Sequence, residues 1–122
     1  MKRRSKKADN WQTLNYTDVK NAVERGDEKA KTKLAWLMLS GLGDADVDAD
    51  EAVALLEERV KDKDTDAMWM LGICNEYGIG TEQDLKRADE LYHQSCDKNN
   101  DIGKIFANLE GRGNKSFHLT CL

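Results

Sequence analysis

AKTKLAWLMLSGLG, residues 30–43, and AMWMLGICNEYGIG, residues 67–80, are two versions of one pattern. Ala, Leu, Gly and Gly recur with a constant shift of 37 residues: Ala30 with Ala67, Leu34 with Leu71, Gly41 with Gly78, and Gly43 with Gly80. Past the glycines the copies continue as AVALLEERV from Ala52 and ADELYHQSC from Ala88, now with a shift of 36. The first copy therefore carries one extra residue ahead of its second helix, inside DADVDADE, residues 44–51. Self-similarity at a period of this length marks stacked supersecondary units, none of which can bury its apolar face alone.

Each copy reads as helix, loop, helix. From Glu28 to Ser40 and from Thr65 to Tyr77, apolar residues recur at spacings of three and four, which lays a stripe along one side of a helix. Directly after the repeated leucine stands a small residue, Ala35 or Gly72, where a neighbouring helix can come close. The glycine pairs then stop the helix, because glycine accepts the left-handed conformation that satisfies the last carbonyls. A second helix is expected over about 48–61 and again over about 84–97.

DADVDADE invites a calcium reading, since Asp44, Asp46, Asp48 and Asp50 match alternate ligand positions of an EF-hand loop. The sixth place, which needs glycine for the turn, holds Ala49, and the twelfth, which needs a bidentate glutamate, holds Leu55. A loop and helix start accounts for the aspartates better, because carboxylates there accept bonds from free backbone N–H groups and favour the positive helix end. Asp48 is the expected cap, with Asp50 as the alternative, and Asp84 plays the same part in the second copy.

Partial copies flank the two full ones. YTDVKNAVER, residues 16–25, followed by Gly26-Asp27, has the character of a second-type helix, and IGKIFANL, residues 102–109, that of a first-type helix. In the latter, Gly103 and Ala107 stand where the second copy has Ala67 and Leu71. The expected organisation is a basic tail over 1–13, a repeat domain over 14–111 and an irregular tail over 112–122. Within the domain the units are a half-unit at 14–26, repeats at 27–63 and 64–100, and a partial helix at 101–111.

Composition narrows the function. A chain of 122 residues with 34% charged and 39% hydrophobic residues, no proline and a net charge of −4 is a single globular, helix-compatible domain. No apolar run approaches the roughly 20 residues of a membrane span, and no apolar core follows the opening MKRRSKK as it would in a secretory signal. KRRSKK itself is expected to be a solvated tail, with nuclear import or a polyanion as its alternative use; nucleic-acid binding by the acidic body is not expected. Cys74, Cys96 and Cys121 form neither CxxC nor a zinc-ribbon pattern, so incidental thiols in an intracellular, cytoplasmic setting are expected rather than a disulfide. His93 and Cys96 would share a helix face without a third ligand, and His118 lies in the tail, so neither a metal site nor a cofactor is expected. No GxSxG, HExxH, P-loop or GxGxxG occurs, and neither histidine has a nucleophile near it in sequence.

The repeated residues resemble the Sel-1-like repeat family, helical-hairpin relatives of tetratricopeptide repeats. Its pattern of A-x-x-x-L-G, then G-x-G, then D-x-x-x-A and an aromatic is met in the second copy by Ala67, Leu71-Gly72, Gly78 and Gly80, Asp84, Ala88 and Tyr92. The first copy departs from it at Ala35, at Asp44 and by its inserted residue. The resemblance implies an all-α fold, a right-handed solenoid of antiparallel helix pairs, and a non-enzymatic adaptor or scaffold that binds a protein or peptide on its curved surface. It also implies that specificity resides on the first helix of each pair, at positions facing away from the core; the candidates are Lys31, Lys33, Met38, Met68, Met70, Asn75 and Glu76. Trp36 and Trp69 are expected to pack, while Trp11 could cap the first hairpin or dock a partner. Some bacterial members are cysteine-rich and act on penicillin-type compounds, and QSCDKNND, residues 94–101, echoes them. Their cysteine partner in the next helix is replaced here by Gly103-Lys104-Ile105, which departs from their disulfide scaffold; a hydrolase of beta-lactam or cell-wall type is the alternative that the resemblance to them implies. A third reading is self-association through exposed repeat ends.

Overall fold

The computed structural model describes residues 15–41 and 48–108, and these form six helices. In chain order they are α1 (Tyr16–Glu24), α2 (Glu28–Ser40), α3 (Ala49–Lys61), α4 (Thr65–Tyr77), α5 (Leu85–Asp97) and α6 (Asp101–Ala107). Helices α2 with α3 and α4 with α5 are the two repeated hairpins, and α1 and α6 are the half-units on either side. The tail carrying KRRSKK and Trp11, Gly43 with residues 44–47 of the acidic run, and the tail carrying His118 and Cys121 lie outside the described residues.

Every described helix starts in the same way. Asn15, Asp27, Asp48, Asp64, Asp84 and Asn100 are the six N-caps, and each side chain accepts a bond from a backbone N–H of the first turn. An N-cap of this kind contributes about 1 kcal/mol. Asp48 takes the N–H of Glu51 at 3.1 Å and Asp84 that of Arg87 at 3.0 Å, so this end of the acidic run begins a helix. First-type helices stop at Gly41 and Gly78, whose φ angles of 74° and 68° place them in the left-handed region.

The periodic stripes meet in one core. Leu34, Ala35 and Leu37 of α2, Ala52 and Leu56 of α3, Ala67 and Leu71 of α4, and Ala88, Leu91 and Tyr92 of α5 are buried together. The two hairpins solve the same packing problem with different volumes. In the second, a Cβ on Gly72 would lie 2.5 Å from Cε1 of Tyr92, so the ring rests directly on helix backbone. The Tyr92 hydroxyl then donates to Glu76 at 2.7 Å. At the matching positions the first hairpin has Ala35, Leu56 and Leu39, a larger small residue and a smaller large one, with no polar tip to satisfy. Glu76 is thus explained as the acceptor of a buried phenol.

Gly72→Ala is therefore expected to destabilise the fold by about 1–3 kcal/mol, because the added methyl must displace an aromatic ring in a filled core. Adding Tyr92→Leu to it, which recreates the pairing of Ala35 with Leu56, is expected to recover part of the loss. Urea unfolding of the two variants beside the parent measures both effects.

Candidate functional site

The turns that lead from the second helix of one unit into the first helix of the next are built alike. Gly26 precedes the cap Asp27, Lys63 precedes the cap Asp64 and Asn99 precedes the cap Asn100, and the three leading residues share left-handed φ angles of 96°, 67° and 66°. Because successive helices run antiparallel, these turns lie along one edge of the solenoid. Cavities open along it. One of about 390 Å³ lies between the start of α2, the end of α3 and the start of α4, and one of about 470 Å³ lies between the ends of α3 and α5 and the start of α4. A third of about 260 Å³ separates α1 from α2. Lys33 lines the 260 and 390 Å³ cavities and Lys63 lines the 390 and 470 Å³ ones, so the three follow one another.

A buried ionic knot holds the middle of this run. Asp64 accepts from the Thr32 hydroxyl at 2.6 Å and from Arg59 Nη2 at 3.3 Å, and its other oxygen accepts the backbone N–H groups of Asp66 and Ala67. Arg59, only 7% exposed, also reaches Asp62 at 3.0 Å. A guanidinium in such surroundings must be matched by carboxylates, because its desolvation is otherwise uncompensated. Thr32, Arg59 and Asp64 come from α2, α3 and the cap of α4, so the knot ties one hairpin to the next. A second clasp joins the hairpins farther along, where Arg87 donates both nitrogens to Glu57 at 2.7 and 2.8 Å. That bond holds the Glu57 carboxyl below its usual range, against the upward pull of its partial burial.

The seven residues singled out from the sequence fall in different places. Lys33 lines two of the cavities. Lys31 is engaged by Glu28 at 3.1 Å and Glu58 at 3.3 Å, and the bond to Glu28 is the main reason its pKa is raised. Met38, Met70 and Asn75, expected to face away from the core, are instead inside it, and Asn75 Nδ2 donates to the Leu71 carbonyl at 2.9 Å. Met68 is buried too, though it forms part of the wall of the 470 Å³ cavity. For Met68, Met70 and Asn75 the physical reason is that α4 is enclosed by α3, α5 and α6, so its apolar stripe widens to most of its circumference, whereas Met38, on α2, belongs to the common buried cluster. Glu76 binds Tyr92, as above.

Trp36 and Trp69 pack on one another, and Trp69 packs on α6. Trp36 meets Trp69 edge to face with ring centroids 6.1 Å apart, Trp69 stacks on Phe106 at 5.8 Å, and Phe106 stacks on Tyr92 at 5.1 Å. Sequence reasoning missed Lys63; the signal was present, since Gly26 and Asn99 are residues that prefer a left-handed turn and Lys63 stands in register with them. The cysteine expectation needs correction. Cys74 is a free, buried thiol, whereas Cys96 is disulfide-bonded, so thiol pattern no longer argues for a reducing compartment. Spacing could not reveal this, because a disulfide depends on which distant segments meet in space. Among the described residues no group of His, Cys, Asp and Glu is placed to hold a metal ion, and no helix is long and apolar enough to cross a membrane.

A family model described as Sel1 repeat matches residues 28–58 and 65–100, the two hairpins. Among solved structures, a Sel1 repeat protein from Oxalobacter formigenes superposes with a TM-score of 0.73 at 21% identity, over 88% of this chain and 47% of that one. A protective antigen present in uropathogenic Escherichia coli strains, displaying an SLR fold, superposes with a TM-score of 0.68 at 20% identity, over 87% of this chain and 24% of that one. The chain thus spans about half the length of the first and about a quarter of the second. No curated protein matches the sequence.

Two outcomes follow from the geometry. Asp64→Ala removes a helix cap and two charge-assisted bonds at once, and should lower stability by at least about 2 kcal/mol in urea unfolding. Burial pushes the Cys74 thiol up to about 11, so in the native chain at neutral pH it should react with a maleimide far more slowly than in denaturant, as read by mass spectrometry.

Proposed function

This chain belongs to the Sel1 repeat family, whose repeats are generally protein-interaction modules, and from that premise we propose that it is a small adaptor or scaffold binding an extended or helical segment of another protein. The observation that carries the reading is the succession of three cavities along the edge where the first helices begin, joined through Lys33 and Lys63. An extended segment needs a surface that continues from one repeat to the next, and stacked hairpins supply one by construction. Of the seven sequence candidates, Lys33 and Met68 line this surface, with Lys29 and Lys63 beside Lys33. Nothing in the family match or the structural likenesses supports the hydrolase alternative.

A second reading concerns self-association. On α6, Ile102 is 40% and Ile105 60% exposed, an apolar face at the end of the helix stack that a second copy could cover. Light scattering across concentration tests it: a mass that stays at one chain throughout removes it.

For the adaptor, the chain is used as bait in its native lysate beside a Lys29→Glu/Lys33→Glu variant and a version lacking residues 1–7. A protein partner captured by the parent and by the shortened chain, and lost with the double variant, is the expected result. Equal capture by the double variant would refute the cavity edge as the binding surface.

A further inference from the structure

Lys63 sits where its own repeats avoid a long side chain. The equivalent positions are Gly26 and Asn99, the two residue types that accept a positive φ most readily, yet Lys63 adopts a φ of 67°. A strained residue kept at a surface turn calls for a role beyond folding. Its side chain is the one shared by the 390 and 470 Å³ cavities. Around it stand Lys29 on one side and Lys61 and Lys98 on the other, and none of these four lysines makes an ion pair among the described residues.

Three of the four acids on the same walls, all but Asp97, are occupied. Asp62 and Asp64 are held by Arg59, and Asp66 accepts from Trp69 Nε1 and Asn100 Nδ2 at 2.9 Å each. The rest of the molecule has the opposite sign. Beyond residues 1–14 the chain holds 14 basic against 22 acidic side chains, a net charge of −8, so a local excess of cations at one edge stands against a repelling background. Such a contrast selects and orients a charged partner more than it adds raw affinity.

We propose that this lysine-lined edge takes an acidic segment of a partner protein, and that Lys63 is the residue that determines this specificity by pairing with a carboxylate at the junction of the two cavities. The proposal rests on the adaptor reading and names the chemistry of its partner. A nucleic acid fits the same cations less well, because its unbroken line of phosphates would run on from the lysines over the acidic remainder of the surface.

The test joins stability to binding. Lys63→Asn, which copies the residue at position 99, relieves the backbone and should raise the thermal unfolding midpoint. The same substitution should weaken binding of a labelled Glu-rich peptide, measured by fluorescence anisotropy, about tenfold, which is about 1.4 kcal/mol. A Gln counterpart of the peptide should bind poorly to the parent, and raised salt should weaken the Glu peptide. Undiminished affinity in Lys63→Asn, equal binding of the Gln peptide, no binding of the Glu peptide at all, or an oligonucleotide bound as tightly would each overturn the proposal. So would a lower unfolding midpoint in Lys63→Asn, which would explain the lysine by stability. A partner captured from lysate by the parent and equally by Lys63→Asn would leave the adaptor standing and remove only the acidic-segment chemistry.

Discussion

The carboxylate of Asp64 acts in three places at once. One oxygen caps α4 by accepting two backbone N–H groups, and the other receives the Thr32 hydroxyl from α2 and the Arg59 guanidinium from α3. Each partner alone would be worth little at a surface, but Arg59 and Thr32 are almost wholly buried, so their polar groups must be satisfied where they lie. The demand fixes how the second hairpin sits on the first. Everything on the turn edge, including the spacing of its cavities and the position of Lys63, inherits that angle.

Between the repeats the constraint is polar, and within each hairpin it is volume. The matching positions hold Gly72 and Tyr92 in one hairpin and the buried Ala35 and Leu56 in the other, and the polar consequences follow from the choice. A tyrosine brings a hydroxyl that must be bonded, so Glu76 appears where the leucine-containing copy has Leu39. A residue that resembles a surface contact in one copy is therefore a packing requirement when both are read together. Aromatic stacking then carries the core beyond the second hairpin, with Phe106 lying between Trp69 and Tyr92 and holding α6 to the stack.

The repeat period, the glycine stops and the helix caps are local matters, and the chain's own order of residues decided them. Two stretches 37 apart that share Ala, Leu, Gly and Gly have to form the same element, because a stripe at helical spacing followed by a left-handed glycine has few alternatives. Asp48 and Asp84 were readable as caps for the same reason, since an N-cap bonds within three residues of itself. What could not be read was which side of a helix remains open. Met38, Met70 and Asn75 look outward on a two-helix drawing, yet all three are buried, and α4, which carries the last two, is packed by α6 as well as by α3 and α5.

Pairings over long separations belonged to the tertiary structure alone. Thr32 meets Asp64 across 32 residues, Glu57 meets Arg87 across 30 and Tyr92 meets Glu76 across 16, and no periodicity announces any of them. Lys63 needed both levels: its register with Gly26 and Asn99 lies in the sequence, while its placement between two cavities arises only when α3, α4 and α5 come together. Local hydrogen bonds and side-chain periodicity act over a few residues and so leave their mark on the order of amino acids; burial and charge neighbours are set by elements far apart in the chain, and only packing brings them into being.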